Sequence, residues 1–141
     1  MKIGDNATFK KKITEKDVYD YADVTGDVNP IHISEEIAKQ SLFGERIAHG
    51  MLVAGYISRV LGVEMPGEGT ICLEQSCKFI RPVRIGDEIT IKCVFTKIIS
   101  FEKGVIEITN SVYNQKDEIV LSGYSIVKIP KEKLLNSVCS K

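Results

Sequence analysis

The chain has 141 residues, room for one domain with a substantial core but not for two. Nineteen acidic and nineteen basic side chains cancel to a formal net charge of zero, which removes the electrostatic footprint of a nucleic-acid or acidic-membrane binder. No run approaches the ~18 consecutive apolar residues of a membrane span, and the charged start MKIGDNATFKKK lacks a signal peptide's apolar stretch, so a soluble, cytoplasmic protein is expected.

Taken in chain order, residues 7–13 have the sparse pattern of an edge strand, and TEKDVYDYADVTG follows as a helix with defined ends. Thr14 is its cap with Asp17 three residues on, Val18, Tyr21, Ala22 and Thr25 recur at helical spacing, and Gly26 stands where a helix stops. A proline turn, DVNPIH, comes next. Ser34 then caps a short helix over EEIAKQSL, with Glu35 and Glu36 in the first turn where the helix dipole favours negative charge, and Gly44 is expected to end it. The helix GMLVAGYISRVLG has almost no polar face, which predicts burial nearly all round. Gly55 in its interior costs ~1 kcal/mol relative to alanine, so close packing against that position is expected.

From Thr70 the period changes to two. TICLEQSCKFIRPV, DEITIKCVFTKII, GVIEITNSVYNQ and EIVLSGYSIVKI read as four strands, and the breaks IGDE, FEKG and QKDE suit antiparallel hairpins. One sheet wrapped around the apolar helix satisfies both, an α+β arrangement over a single domain of residues 1–141, with 131–141 as a loosely held tail. The sheet has two edges, and pairing with a second copy is a simple way to remove one. Cys72, Cys77, Cys93 and Cys139 form no CxxC pair and have no histidine at metal-ligand spacing; reduced, mostly buried thiols are expected, and no metal site.

The chain has only two histidines, and one of them, His32, follows Asp27 across the Asn29-Pro30 turn. Pro30 fixes its own φ and pushes Asn29 from the helical region, so the segment is a shaped loop that can bring carboxylate and imidazole to one pocket. Such a pair can position, protonate and deprotonate one water. Asp27 and Asn29 are equally common turn residues, and His32 and His49 can each serve by bonding loop backbone; for His49 that structural role is preferred. At Gly50 the unpaired N–H groups of a helix start carry partial positive charge, and glycine lets a ligand approach, so a thioester oxygen there would be stabilised; a tight turn into the helix is the plainer account.

TGDVNPIHIS followed by FGERIAHGML resembles the signature of the MaoC-like dehydratase family, in particular its short, single-domain (R)-specific enoyl-CoA hydratases, and CKFIRPVRIGDEIT is similar to the family's strand pair. The resemblance covers roughly residues 7–129. It implies a hot-dog fold, a sheet wrapped around a central helix, with two subunits paired edge to edge as a homodimer. It implies Asp27 and His32 as the catalytic pair, the Gly50 N–H on the thioester carbonyl, and a substrate pocket including Ser58, Asn29 and Leu61. The reaction implied is addition of water across a trans-2-enoyl-CoA, with His32 as base and Asp27 orienting the water and returning a proton. Coenzyme A enters as the substrate's carrier, and no separate cofactor is expected.

Three other readings compete. Hot-dog thioesterases use an acidic residue on or near the central helix, and GMLVAGYISRVLG has none. An acyl-carrier-protein dehydratase would favour a basic patch by the tunnel mouth; Arg46, Arg81, Arg84 and Lys78 are candidates for either carrier's phosphates, with solvated surface charge the plainer account of each taken singly. A non-catalytic acyl-binding subunit would keep the fold without turnover.

Overall fold

The computed structural model describes residues 1–134. Strand β1 (Asn6–Lys12) is followed by helices α1 (Glu15–Thr25), α2 (Pro30–Ile33), α3 (Glu35–Lys39) and α4 (Gly50–Arg59), then by strands β2 (Ile71–Phe79), β3 (Glu88–Ser100), β4 (Val105–Tyr113) and β5 (Ile119–Lys128). A π-helical extension, Val60–Glu64, carries α4 onward to a central helix of 15 residues. All neighbours are antiparallel in the order β1-β3-β4-β5-β2, so β1 is the edge strand expected and β2 is the other edge.

Alternation decides what the sheet covers. In β3, Ile89, Ile91, Cys93 and Phe95 are fully buried, and in β4 Ile106, Ile108 and Val112 join them on the same face. These residues form one core with Val53, Ala54, Ile57, Val60 and Leu61 of the central helix, the hot-dog arrangement. Burial of each such aliphatic side chain contributes about 1.5–3 kcal/mol before the entropy of ordering is counted. Among the described residues no helix is long and apolar enough to cross a membrane.

The helix ends follow local chemistry. Thr14 and Asp17 form a reciprocal capping box at α1, and Gly26 closes it in the left-handed region at φ 78° with its N–H on Ala22 O. Ser34 caps α3 through Ile37 N–H, but α3 stops at Lys39, before the expected Leu42 and Gly44. The proline segment, expected as a loop, is instead the single turn α2, with Asn29 as N-cap and Pro30 in the first helical position.

Two expectations for α4 need correcting. The helix is not buried all round: Met51, Gly55, Ser58 and Gly62, spaced at one face, are exposed in the single chain. Nor does anything approach Gly55, where an added Cβ would meet no atom within 4 Å; the close neighbour is at Gly50, where a Cβ would come within 2.8 Å of the Phe79 ring. Of the thiols, only Cys93 is buried; Cys77 is half-buried, Cys72 exposed, and Cys139 lies outside the described residues. So does most of the expected tail. Leu134, inside that expected tail, is buried in the core and so is not loosely held.

Candidate active site

The site is assembled where α1 ends, α2 turns and α4 begins. Asp27 follows the α1 terminator Gly26, its N–H donating to Thr25 Oγ1 at 3.1 Å and its Oδ1 accepting from Asn29 N–H at 3.2 Å. Asn29 in turn accepts from Ile31 N–H with its own side chain, so its amide is used in starting α2. That turn of helix points His32 inward to 9% exposure, while Asp27 stays exposed.

His32 is fixed in place through Ile47. Its Nδ1 lies 2.7 Å from Ile47 O, and because a carbonyl can only accept, Nδ1 carries the proton and Nε2 keeps a lone pair in the neutral ring. Ile47 N–H also donates to Ile31 O at 3.3 Å, so one residue holds both the ring and the backbone of α2. Burial pushes the His32 pKa below its ordinary 6.5; the Ile47 carbonyl opposes this, the neighbouring His49 adds to it, and Asp27 opposes it. The ring is therefore neutral, and basic, at pH 7.

His49 closes the arrangement. Its ring, 2% exposed, stacks on His32 at 3.9 Å between centroids and meets Tyr21 at 4.6 Å. Its Nε2–H donates to the backbone carbonyl of Asp27 at 3.0 Å, the loop-bonding role read from sequence. A carboxylate oxygen of Asp27 and one ring nitrogen each of His32 and His49 lie within 4.8 Å of one another, a span that one water bridges. The same three groups are spaced as a metal site could be, and one nitrogen of each ring is already bonded to a main-chain carbonyl.

Gly50, the first residue of α4, lines the same cavity of about 440 Å³ as His32. No side chain caps this helix start: Leu52 and Val53 N–H donate to His49 O, and the N–H groups of Gly50 and Met51, the two residues that line the cavity, have no intrahelical acceptor. The other walls, Phe43, Met51, Phe79, Val83 and Leu121 among them, are apolar, and Arg81 is the charged exception. Ser58 and Leu61 are not brought to His32 within the chain: they line a separate cavity of about 220 Å³ further along α4, with Thr70, Cys72 and Gln75.

The basic candidates separate clearly. Arg46 is tied to Glu15 at 2.7 Å and Glu35 at 3.3 Å, and Arg84 pairs with Glu45, so neither stands free for a phosphate. Lys78 lies along a different cleft, beside Ser76 and Tyr124. Arg81, bonded to Ile119 O at 2.6 Å and paired with Glu118 at 3.7 Å, sits on the cavity itself. The acidic residue nearest in sequence after Gly50 is Glu64, at the far end of the central helix and paired with Arg59. Sequence reasoning missed Ile47 and Tyr21, since neither a main-chain carbonyl nor a ring edge leaves a motif.

A family model described as a MaoC like domain matches residues 2–116. The chain is 42% identical to a 3-hydroxybutyryl-CoA dehydratase of Methylorubrum extorquens over 94% of its length and 83% of the relative's. It is also 42% identical to an (R)-specific enoyl-CoA hydratase of Rhodospirillum rubrum, over 92% of this chain and 89% of that one. The solved structure of the (R)-hydratase from A. caviae superposes with a TM-score of 0.88 at 32% identity, covering 92% of this chain and 98% of the other. With matches of this extent, the chain belongs to the MaoC-like dehydratase family and is a hydro-lyase.

Proposed function

We propose that this chain is an (R)-specific enoyl-CoA hydratase that adds water reversibly and syn to a trans-2-enoyl-CoA. The observation that carries the reading is the placement of His32: Nδ1–H is held by Ile47 O, which leaves Nε2 free to act as base, and a ring nitrogen of His32 lies within 4.8 Å of an Asp27 carboxylate oxygen. The similarity to a relative named as an (R)-specific enoyl-CoA hydratase supports the same substrate class.

In this mechanism one water lies between Asp27 and His32. Its oxygen bonds to the β-carbon as one of its protons passes to His32 Nε2, and a proton from the same Asp27–His32 pair is delivered to the α-carbon on the same face. The sum is one water added, and the pair ends in its starting protonation state. Electron density moving out of the double bond collects on the thioester oxygen, which the N–H groups at Gly50 stabilise. Arg81, the cation that lines the cavity, would exchange its Glu118 pairing for a phosphate of the coenzyme A carrier, and no metal or redox step is needed. The active unit in this reading is a homodimer. The free edge of β2 and the exposed stripe Met51, Gly55 and Ser58 are apolar or small enough to be covered by a second copy, which would also supply a wall to the exposed Asp27.

The test is to incubate the protein with crotonyl-CoA and follow the conjugated thioester absorbance and free thiol together. Absorbance loss without thiol is the expected result. Thiol release without a hydroxyacyl product would replace the hydratase with a thioesterase, and no change at any chain length would leave a binding subunit.

A further inference from the structure

Arg46 is tethered on three sides, and the catalytic reading makes no use of it. Its side chain is only 9% exposed. The guanidinium donates through Nη2 to Glu15 Oε1 at 2.7 Å and to Glu35 Oε1 at 3.3 Å, and through Nη1 to the Tyr19 hydroxyl at 3.2 Å. That hydroxyl donates to Glu15 Oε1 at 3.2 Å, and the centroid of the Tyr19 ring lies 5.8 Å from the guanidinium carbon. An isolated surface ion pair contributes about 0–1 kcal/mol, but a planar fork shared by two carboxylates and a hydroxyl fixes direction as well as charge.

The residues that follow Arg46 in the chain are the ones that hold the site. Ile47 O takes the His32 Nδ1–H and Ile47 N–H reaches Ile31 O; His49 Nε2–H holds the Asp27 carbonyl, and Gly50 opens α4. On one side this strap is moored to the segment between β2 and β3, by Ala48 N–H on Val83 O at 2.7 Å and by the bridge from Ile47 to Arg84. On the other side Arg46 moors it to two helices. Glu15 and Tyr19 belong to α1, whose end leads into Asp27, and Glu35 opens α3, directly after the turn that carries His32. Arg46 therefore ties the elements that bring Asp27 and His32 to the carbonyl that orients the His32 ring.

We infer that Arg46 is a positioning residue for the hydration: by tying residues 46–50 to α1 and α3 it keeps Ile47 O on His32 Nδ1, and so holds the ring in the tautomer whose Nε2 is free. Its effect on turnover rests on the hydratase reading; the tautomer is a property of the folded chain whatever the substrate. Without the guanidinium the strap loses its bonds to both helices. A ring no longer held by the carbonyl exchanges its proton between the two nitrogens, and whenever Nε2 carries that proton the water has no base.

The experiment pairs ring-nitrogen NMR of the full-length protein with crotonyl-CoA kinetics, and the presence of only two histidines makes the spectra assignable. In the wild type His32 should report the Nδ1–H form and His49 the Nε2–H form. Arg46→Met keeps an aliphatic stem and removes the fork. Its His32 signals should move toward the Nε2–H form, with kcat lowered about tenfold to 100-fold and KM changed by less than about twofold. Arg46→Lys, which keeps the charge without the fork, should recover only part of kcat. If Arg46→Met does not fold, Glu15→Gln with Glu35→Gln, both at exposed carboxylates, weakens the same tether from its other end. A folded variant whose His32 keeps the Nδ1–H form, or one whose tautomer shifts while kcat is unchanged, overturns the positioning role and leaves hydration intact. A wild type with the expected tautomers that hydrates no enoyl thioester overturns the hydratase reading, and the catalytic use of Arg46 with it.

Discussion

At the Gly50 end of α4 the polar side chains are bonded to main-chain carbonyls, His32 to Ile47 and His49 to Asp27. At the Ser58 end Gln75, Asn110 and Ser125 are bonded chiefly to one another. A backbone carbonyl takes one proton from an imidazole and fixes its tautomer, so the second nitrogen of His32 is left over for chemistry. A side-chain network uses up its own donors and leaves little to react. On the proposed reading the first end moves a proton, while the second ties β2 to β4 and β5. Substitutions at the two ends should accordingly fail in different ways, turnover at one and stability at the other.

The sharpest break comes from Asp27→Asn and His32→Ala. Each should lower kcat for crotonyl-CoA by about 10²–10⁴, the usual worth of a positioned acid or base. Asp27 is exposed, so thermal unfolding of Asp27→Asn should change little. Near wild-type turnover in either variant would remove the assignment of the reactive end.

A smaller effect is expected at His49. Phenylalanine there keeps a ring against His32 but loses the N–H that holds the Asp27 carbonyl, and a misplacement of the carboxylate by about 1 Å costs ~10² in kcat. The pH profile adds a sign. With His32 as the proposed base, hydration needs its neutral form, so kcat/KM should fall as pH drops through a pKa that lies below 6.5 in the wild type. His49 is one of the groups that hold that pKa down, with burial the larger and the Ile47 carbonyl and Asp27 acting the other way. His49→Phe should therefore move the acid limb to higher pH, and His49→Gln, which keeps an N–H donor, should recover part of kcat. An unmoved limb with full kcat would reduce His49 to packing.

How much of this was legible in the sequence differs between the same two ends. Thr14, Gly26, Ser34 and Pro30 act within a few residues of themselves, so the α1 cap and terminator, the α3 cap and the approach of Asp27 to His32 could be read from local spacing. Even there, a four-residue helix at Pro30 was too short to show a period. Gln75, Asn110 and Ser125 are 35, 15 and 50 residues apart and meet only through the register of β2, β5 and β4, which single-chain patterning does not fix. Apolarity marked α4 as central but not which element covers each face. Hence the crowded glycine was expected at Gly55 and is found at Gly50.

The mildest and most discriminating change is Gly50→Ala. The new Cβ would sit 2.8 Å from Phe79 Cε1, yet the Phe79 ring is half exposed and can swing outward. Alanine also favours the helix over glycine, so the midpoint of thermal unfolding should shift by only a few degrees. What the methyl group changes is the approach to the first N–H groups of α4. Losing one oxyanion donor outright costs 10²–10³ in kcat; crowding it should cost about tenfold, with the same loss for every acyl length. Adding Phe79→Leu to Gly50→Ala tells the two causes apart. If room for the ring restores kcat, the loss came from the displaced Phe79 wall. If kcat stays low, it came from the methyl group standing before the helix start, where the proposed mechanism puts the thioester oxygen.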